Sequence, residues 1–373
     1  MERAVARRRR MATVVLVALA LVAFAVGASL GAEEPQRHAP RLASTLQYRP
    51  LAGQRIVVGL NGTSISPGLT EAIQQGRIAG VVLFAENFPS RAAGRRLIDR
   101  LQAIPQPRKL RGYPLLVMTD QEGGLVKRID GAPTVSAESM GTRGAAYSAR
   151  QGRRTAANLR DVGVNVDLAP VLDVGRPGGV IAETERSFGS SASRVAATAV
   201  PFAEGLEAGG VAATGKHFPG FGAARENTDF STERIDLSKR ELRRVDEKPY
   251  ENFIDGGGRV VMLSTAIYPA FSDDPAAFTR AIATGELRNR LGFEGVSVTD
   301  ALETPAVEDF GGTAKAALAG ARAGADLLLY ARLAPAEKAW EALAGKLRDG
   351  RLDRSEFEVS AQRVLDLRGE LRR

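Results

Sequence analysis

The sequence predicts an α/β chain folded as a (β/α)8 barrel, the TIM-barrel arrangement, preceded by an N-terminal hydrophobic segment. Three observations predict it. Eight short runs rich in β-branched residues recur after residue 50, with helical segments between them. Those runs are nearly continuous in apolar residues rather than alternating, as strands buried on both faces should be. The 373-residue length suits one such barrel as well as two ordinary domains.

The elements follow in chain order. Met11–Leu30 is twenty residues without a charge, long enough to span a bilayer as a helix. Five arginines precede it, which predicts an N-terminus kept in the cytoplasm. Residues 1–32 therefore read as a cleaved signal peptide or an uncleaved membrane anchor. Either places the remainder outside the cytoplasmic membrane, secreted or anchored through residues 11–30. Residues 33–50 are polar and proline-bearing and read as a linker, with His38 simply solvated. Residues 51–373 form the barrel. Its strands are expected at Arg55–Leu60, Gly80–Phe84, Pro114–Asp120, Val164–Pro170, Val211–His217, Val260–Thr265, Gly295–Asp300 and Ala325–Tyr330. Helical patterns occupy Ser90–Ile104, Ala145–Val162, Ser193–Ala208, Thr313–Ala323 and Pro335–Leu347. Ser238 with Glu241 makes a capping box before the sixth strand. A doubly wound open sheet is the rival. Gly59-Leu60-Asn61-Gly62 after the first strand lacks the phosphate-loop spacing that would favour it.

Composition excludes several functions. There is no cysteine, so disulfides, thiolate nucleophiles and zinc-thiolate sites are out. His38 and His217 are the only histidines, which excludes a multi-histidine metal site. Of the net charge of +8, residues 1–10 contribute +4, which leaves +4 spread over the other 363 residues. That is too mild a balance for nucleic acid. No cofactor is called for.

Barrel enzymes carry their chemistry where strands end. Here the predicted ends hold Asp120, Asp167 and Asp173, Lys216 with His217, Thr265 and Asp300. Asp and Asn favour strand ends and caps for structural reasons too, and Asp173 reads as structural. Convergence of Asp120, Lys216, His217 and Asp300 on one rim is another matter. Asp300 can serve as a carboxylate nucleophile. Cations donate to hydroxyls and carboxylates accept from them, so a rim mixing both suits a carbohydrate.

At these residues the chain resembles family-three glycoside hydrolases, in the single-barrel branch of bacterial β-N-acetylhexosaminidases. Five stretches carry the likeness: Asp120–Arg128, Val164–Asp173, Arg186–Gly189, Lys216–Gly222 and Leu291–Asp300. It covers residues 53–370. The resemblance implies a retaining β-glycosidase with Asp300 as nucleophile and Asp120, Arg128, Arg186, Lys216 and His217 as sugar-binding residues. It implies an exo-acting hexosaminidase on β-linked amino sugars of peptidoglycan or chitin fragments. Glu122, beside two glycines, reads as a loop-fixing residue.

The departures are specific. The branch carries Asp-Ser-His after the fifth strand, its His being the acid/base; this chain has Asn227-Thr228-Asp229 there. Phe221 stands for the histidine of the Pro-Gly-His-Gly turn, and Thr265 for another after strand six. Asp229 is then the expected acid/base, with Glu226 as second candidate. A buried carboxylic acid can protonate a leaving oxygen. The missing dyad equally supports a surface glycan-binding barrel with little hydrolysis. A β-glucosidase-like specificity and a Lys216 Schiff-base lyase are further alternatives.

Overall fold

The structure is a computed structural model and describes residues 41–371. Met11–Leu30, expected as signal peptide or anchor, lies outside the described residues, as do residues 33–40 of the expected linker. Among the described residues no helix is long and apolar enough to cross a membrane. The described part of the linker is not a linker. Leu42–Thr45 and Tyr48–Gly53 are short helices, and Ala43, Leu46, Leu51 and Ala52 are buried in the main core. Apolar residues at those spacings outweigh the polar ones between them. The Ala43 amide donates to Gln362 (3.0 Å) and Trp340 Nε1 to the Arg49 carbonyl (3.0 Å).

The eight expected strands form. They are β1 Ile56–Gly59, β2 Gly80–Val82, β3 Leu116–Thr119, β4 Val166–Asp167, β5 Ala212–Phe218, β6 Val260–Leu263, β7 Val296–Thr299 and β8 Leu328–Tyr330. All neighbours are parallel, in the order β8-β1-β2-β3-β4-β5-β6-β7. Val57, for example, lies opposite Gly80 on one side and Leu329 on the other. The ring closes between β7 and the start of β8. There the Leu327 amide donates to the Ser297 carbonyl (2.8 Å) and Thr299 to Leu327 (3.0 Å). An open doubly wound sheet is thereby excluded.

Burial on both faces explains the unbroken apolar runs. Val57, Val82, Leu116, Met118, Val166, Val260, Met262, Val296, Val298 and Leu329 fill the barrel interior. Their neighbours Ile56, Val58, Val81, Val117, Val261, Leu263, Leu328 and Tyr330 pack outward in the cluster shared with the helices. At ~25 cal/mol per Å² of apolar surface, this two-sided burial is the main favourable term. Serine caps open two of the expected helices. Ser90 and Ser191 accept from Ala93 and Arg194, opening helices Arg91–Ala103 and Ala192–Ala208. Ala145–Val162 and Thr313–Ala323 form as expected. The Ser238–Glu241 box also forms, but only a short helical stretch follows, and a separate helix begins at Lys248.

One end of the barrel is stoppered. Helix Arg354–Glu370 and the residue after it add Val364, Leu367 and Leu371 to the interior cluster. Arg363 reaches Asp326 (3.1 Å) and Arg368 the Pro114 carbonyl (2.9 Å), both just before strands. The opening is therefore left at the strands' C-terminal ends.

Candidate active site at the barrel mouth

Each expected site residue sits where a strand runs out or in the segment that follows. Asp120 follows β3, Lys216 and His217 lie near the end of β5, and Asp300 follows β7. A small hairpin, Gln121–Gly123 paired with Val126–Lys127, supplies Glu122 and leads to Arg128. It is absent from the expected elements because its residues carry no strand alternation. Its turn needs positive φ at Gly123 (99°) and Gly124 (56°), which glycine adopts without strain. Arg186 comes from the segment after β4, and Asp229 from the loop after β5.

These seven residues, Asp120, Arg128, Arg186, Lys216, His217, Asp229 and Asp300, line one cavity of about 350 Å³. Glu226, the second acid candidate, is exposed and not among its walls. Two larger hollows, of 580 Å³ beside Arg176 and Ser191 and 440 Å³ beside Gln102 and Tyr113, contain none of the seven.

One wall is an ion cluster. Lys216 Nζ lies 2.7 Å from Asp120 Oδ1 and 2.8 Å from Glu122 Oε1. Arg186 donates through Nε and Nη2 to the two oxygens of Glu122, each at 2.8 Å. Arg128 lies 3.7 Å from Asp120. Burial alone would raise Glu122, but Arg186 and Lys216 overcome it and hold its carboxyl far below the usual range. Burial alone would lower Lys216; Asp120 and Glu122 reverse that, and the ammonium is raised. The cations are thus fixed as donors. Glu122 fixes both of them, which extends its expected loop-fixing role. Beneath the cluster, the buried Asp167 accepts from the Gln121 amide (3.0 Å), and desolvation pushes its carboxyl well up.

A second unit positions His217. Asp173, fully buried, accepts from the His217 amide (3.1 Å), the Phe221 amide (2.7 Å) and His217 Nδ1 (2.8 Å). With Nδ1 engaged, Nε2 is the ring nitrogen left for the cavity. Phe221 meets the imidazole edge-on at 5.6 Å between ring centres. The expected structural role of Asp173 is therefore that of orienting a site residue.

Asp300 is different from both. Its Oδ1 accepts from the Ala301 amide (2.8 Å). Burial raises its carboxyl above the ordinary range; His217 opposes the rise and Asp229 adds to it. Asp229 is exposed and bonded within its own turn, Oδ2 accepting from Asn227 Nδ2 (3.0 Å). Sequence reasoning missed Glu303, which lines the same cavity and accepts from Arg332 Nε (2.9 Å) and the Ala331 amide. Its position three residues past Asp300 was the available signal.

Comparison with known proteins decides the family. The N-terminal-domain model of glycosyl hydrolase family 3 matches residues 53–367. The chain belongs to glycosyl hydrolase family 3. An uncharacterised secreted glycosyl hydrolase of Arthroderma benhamiae is 36% identical over 342 residues, covering 89% of this chain and 96% of that one. The β-N-acetylhexosaminidase of Beutenbergia cavernae superposes with a TM-score of 0.81 at 31% identity, covering 87% of this chain and 99% of that one. A family 3 β-N-acetylglucosaminidase of Paenibacillus sp. FPU-7 gives 0.82 at 30% identity over 87% of this chain; the match spans 63% of that longer protein. The family and barrel expected from the five stretches both stand.

Proposed function

We propose that this family 3 glycoside hydrolase is a retaining, exo-acting β-N-acetylhexosaminidase working on β-linked amino sugars of peptidoglycan or chitin type. The carrying observation is the small cavity that collects Asp300, Asp229 and the cation-bound Asp120 at the open end of the barrel. Asp120 and Glu122, tied to cations, together with Arg128, Arg186, Lys216 and His217, present a fixed pattern of donors and acceptors to sugar hydroxyls. Asp300, which no cation pairs among the described residues, attacks the anomeric carbon. Asp229 protonates the departing oxygen and then draws a proton from water, which releases the sugar with its anomeric configuration retained. The names of the Beutenbergia and Paenibacillus relatives support the amino-sugar specificity. The Arg-flanked segment at 11–30 and the secreted Arthroderma relative support export, with residues 1–32 as the address and 51–373 as the barrel.

The test is covalent trapping. A 5-fluorinated N-acetylglucosaminyl fluoride should add one glycosyl mass to the peptide holding Asp300, and Asp300→Ala should abolish the label. Asn227-Thr228-Asp229, standing where the branch carries Asp-Ser-His, favours one second reading, a glycan-binding barrel with little hydrolysis. Under that reading the protein binds chito-oligosaccharides, and no peptide is labelled.

A further inference from the structure

The charge that follows residue 10 is not evenly spread. Helices Arg91–Ala103 and Ala145–Val162 each hold four arginines and one aspartate, a joint net charge of +6. All the other residues after position 10 together carry −2. Burial decides where the arginines stand. Leu97, Ile98 and Leu101 turn one helix inward, and Ala156, Leu159 and Val162 turn the other. Arg96, Arg100, Arg150, Arg153, Arg154 and Arg160 are left exposed on the outward faces. None of these six pairs with a carboxylate among the described residues. Arg100 and Arg160 donate to backbone carbonyls instead, of Thr63 (3.0 Å) and Gly209 (3.1 Å), which leaves their charge uncompensated.

The two faces join. The helices are neighbours, and Asp161 on one receives Arg91 (2.5 Å) and Arg95 (3.9 Å) from the other. Asp99, the second acidic residue of the pair, lies 3.8 Å from Arg95. Arg91 and Arg95 thus take up both aspartates, and the other six cations stay unmatched. Arg91 Nη1 also donates to the Asp130 carbonyl (3.0 Å), in the segment that continues from Arg128 of the cavity wall. One edge of the basic face therefore abuts a segment of the mouth.

The spread of the charges selects the partner. Arg150 and Arg160 alone stand ~15 Å apart along their helix, at about 1.5 Å per residue. A small anion would meet one or two of the guanidinium groups; an anion repeated along a chain meets them all. The large apolar side chains exposed among the described residues, Leu125, Phe230 and Val359, lie on neither helix, so the face has nothing to insert into a bilayer. We propose that this face docks an acidic glycan, a sugar chain that carries carboxylates, outside the catalytic cavity. Guanidinium groups bond carboxylates through parallel hydrogen bonds, and the Arg91 contact holds a docked chain near the site that trims it. The choice of a glycan as the polyanion rests on the proposed hydrolase reading; the docking itself needs neither Asp300 nor Asp229. Of the two polymer types proposed above, it favours the carboxylate-bearing peptidoglycan type over neutral chitin.

The experiment compares two soluble polymers of one backbone on the full chain, carboxymethyl chitin and the neutral glycol chitin. Affinity electrophoresis should show the carboxylated polymer held about tenfold more tightly, since each exposed ion pair is worth about 0.2–1 kcal/mol and several form. The gap should close as salt shortens the Debye length. Arg150→Gln, Arg153→Gln and Arg154→Gln combined should close most of it at low salt and leave turnover of N-acetylglucosaminyl fluoride unchanged. Equal affinity of the wild type for both polymers overturns the docking surface, and so does a gap that survives in the triple variant. Arginine-dependent binding to phosphatidylglycerol vesicles over phosphatidylcholine ones, with no preference for carboxymethyl chitin, assigns the face to a lipid surface and also overturns it. Affinity is read without turnover, so a wild type inert on the fluoride removes the hydrolase reading while the polymers still decide the docking.

Discussion

Replacing Glu122 by Gln tests whether the ion cluster holds the mouth together. The Glu122 side chain is 3% exposed and takes two hydrogen bonds from Arg186 and a contact from Lys216, all at 2.8 Å. The amide keeps the shape and removes the charge. Lys216 still has Asp120 at 2.7 Å, but Arg186 loses the only carboxylate it pairs with among the described residues. Breaking a buried pair from one side costs about 3–5 kcal/mol. The remaining partner of Lys216 puts this case near the low end, at roughly 3 kcal/mol. In a domain of this size each kcal/mol moves Tm by about 2 °C, so calorimetry at pH 7 should show a fall of about 6 °C. Glu356→Gln, at the exposed Arg280 pair, serves as control and should cost no more than ~0.5 kcal/mol. The pH dependence gives an independent sign. The Glu122 carboxyl lies lower in the folded protein than in the unfolded chain. Its stabilisation is full above the unfolded value of about 4.3 and drains away as pH falls below it. The Tm gap between wild type and variant should therefore narrow on acidification. A variant melting within 2 °C of wild type at pH 7, or a gap that widens in acid, refutes the reasoning.

Other predictions concern the catalytic groups. Because burial raises Asp300, the acid limb of kcat/KM should lie above the ordinary aspartate value of about 3.9; a limb at or below it counts against Asp300 as the ionised nucleophile. Asp229→Asn should slow a glycoside with a poor leaving group by about 10²–10⁴-fold and an activated aryl glycoside far less; small equal effects reject the acid role. Asp173→Asn removes the charge that three donors share, so melting should show a loss of about 2–4 kcal/mol together with a raised KM as His217 loosens. An unchanged KM would separate Asp173 from the site.

The ring was legible because burial on both faces leaves a mark in single short runs such as Val260–Leu263. Several strands also run into polar residues, Asp120, Lys216 and Asp300 among them. The helices were legible as helical patterns such as Ser90–Ile104 and Ser193–Ala208; the structure adds the caps, where the hydroxyls of Ser90 and Ser191 meet orphan amides. What stayed hidden depended on distant partners. Nothing near Glu122 in sequence announces Arg186, 64 residues away, or Lys216, 94 residues away, so its ion cluster could not be read locally. Asp173 looked like any strand-end aspartate until the chain returned 44 residues later with His217. The residues at 41–50 were misread as linker because Pro50 and two arginines mask the buried Ala43 and Leu46, in a stretch whose short helices pack against the C-terminal helices.

The mouth gathers five acidic groups, Asp120, Glu122, Asp229, Asp300 and Glu303, and the neighbours of four of them divide the labour. Asp120 and Glu122 share Lys216, and Glu122 also has Arg186; both are thereby fixed as acceptors and drained of nucleophilic use. Among the described residues Asp300 has one backbone donor and no ion pair, so its charge is the least satisfied of the buried carboxylates at the mouth. A carboxylate kept short of partners gains most by bonding to an electrophilic carbon. A cation brought to it should therefore suppress turnover. Ala301→Arg, built on the residue next to Asp300 in the cavity wall, should lower kcat even for N-acetylglucosaminyl fluoride, which needs little acid help. If that variant binds sugar and turns over the fluoride at the wild-type rate, the partition of charge at the mouth is not what selects the nucleophile.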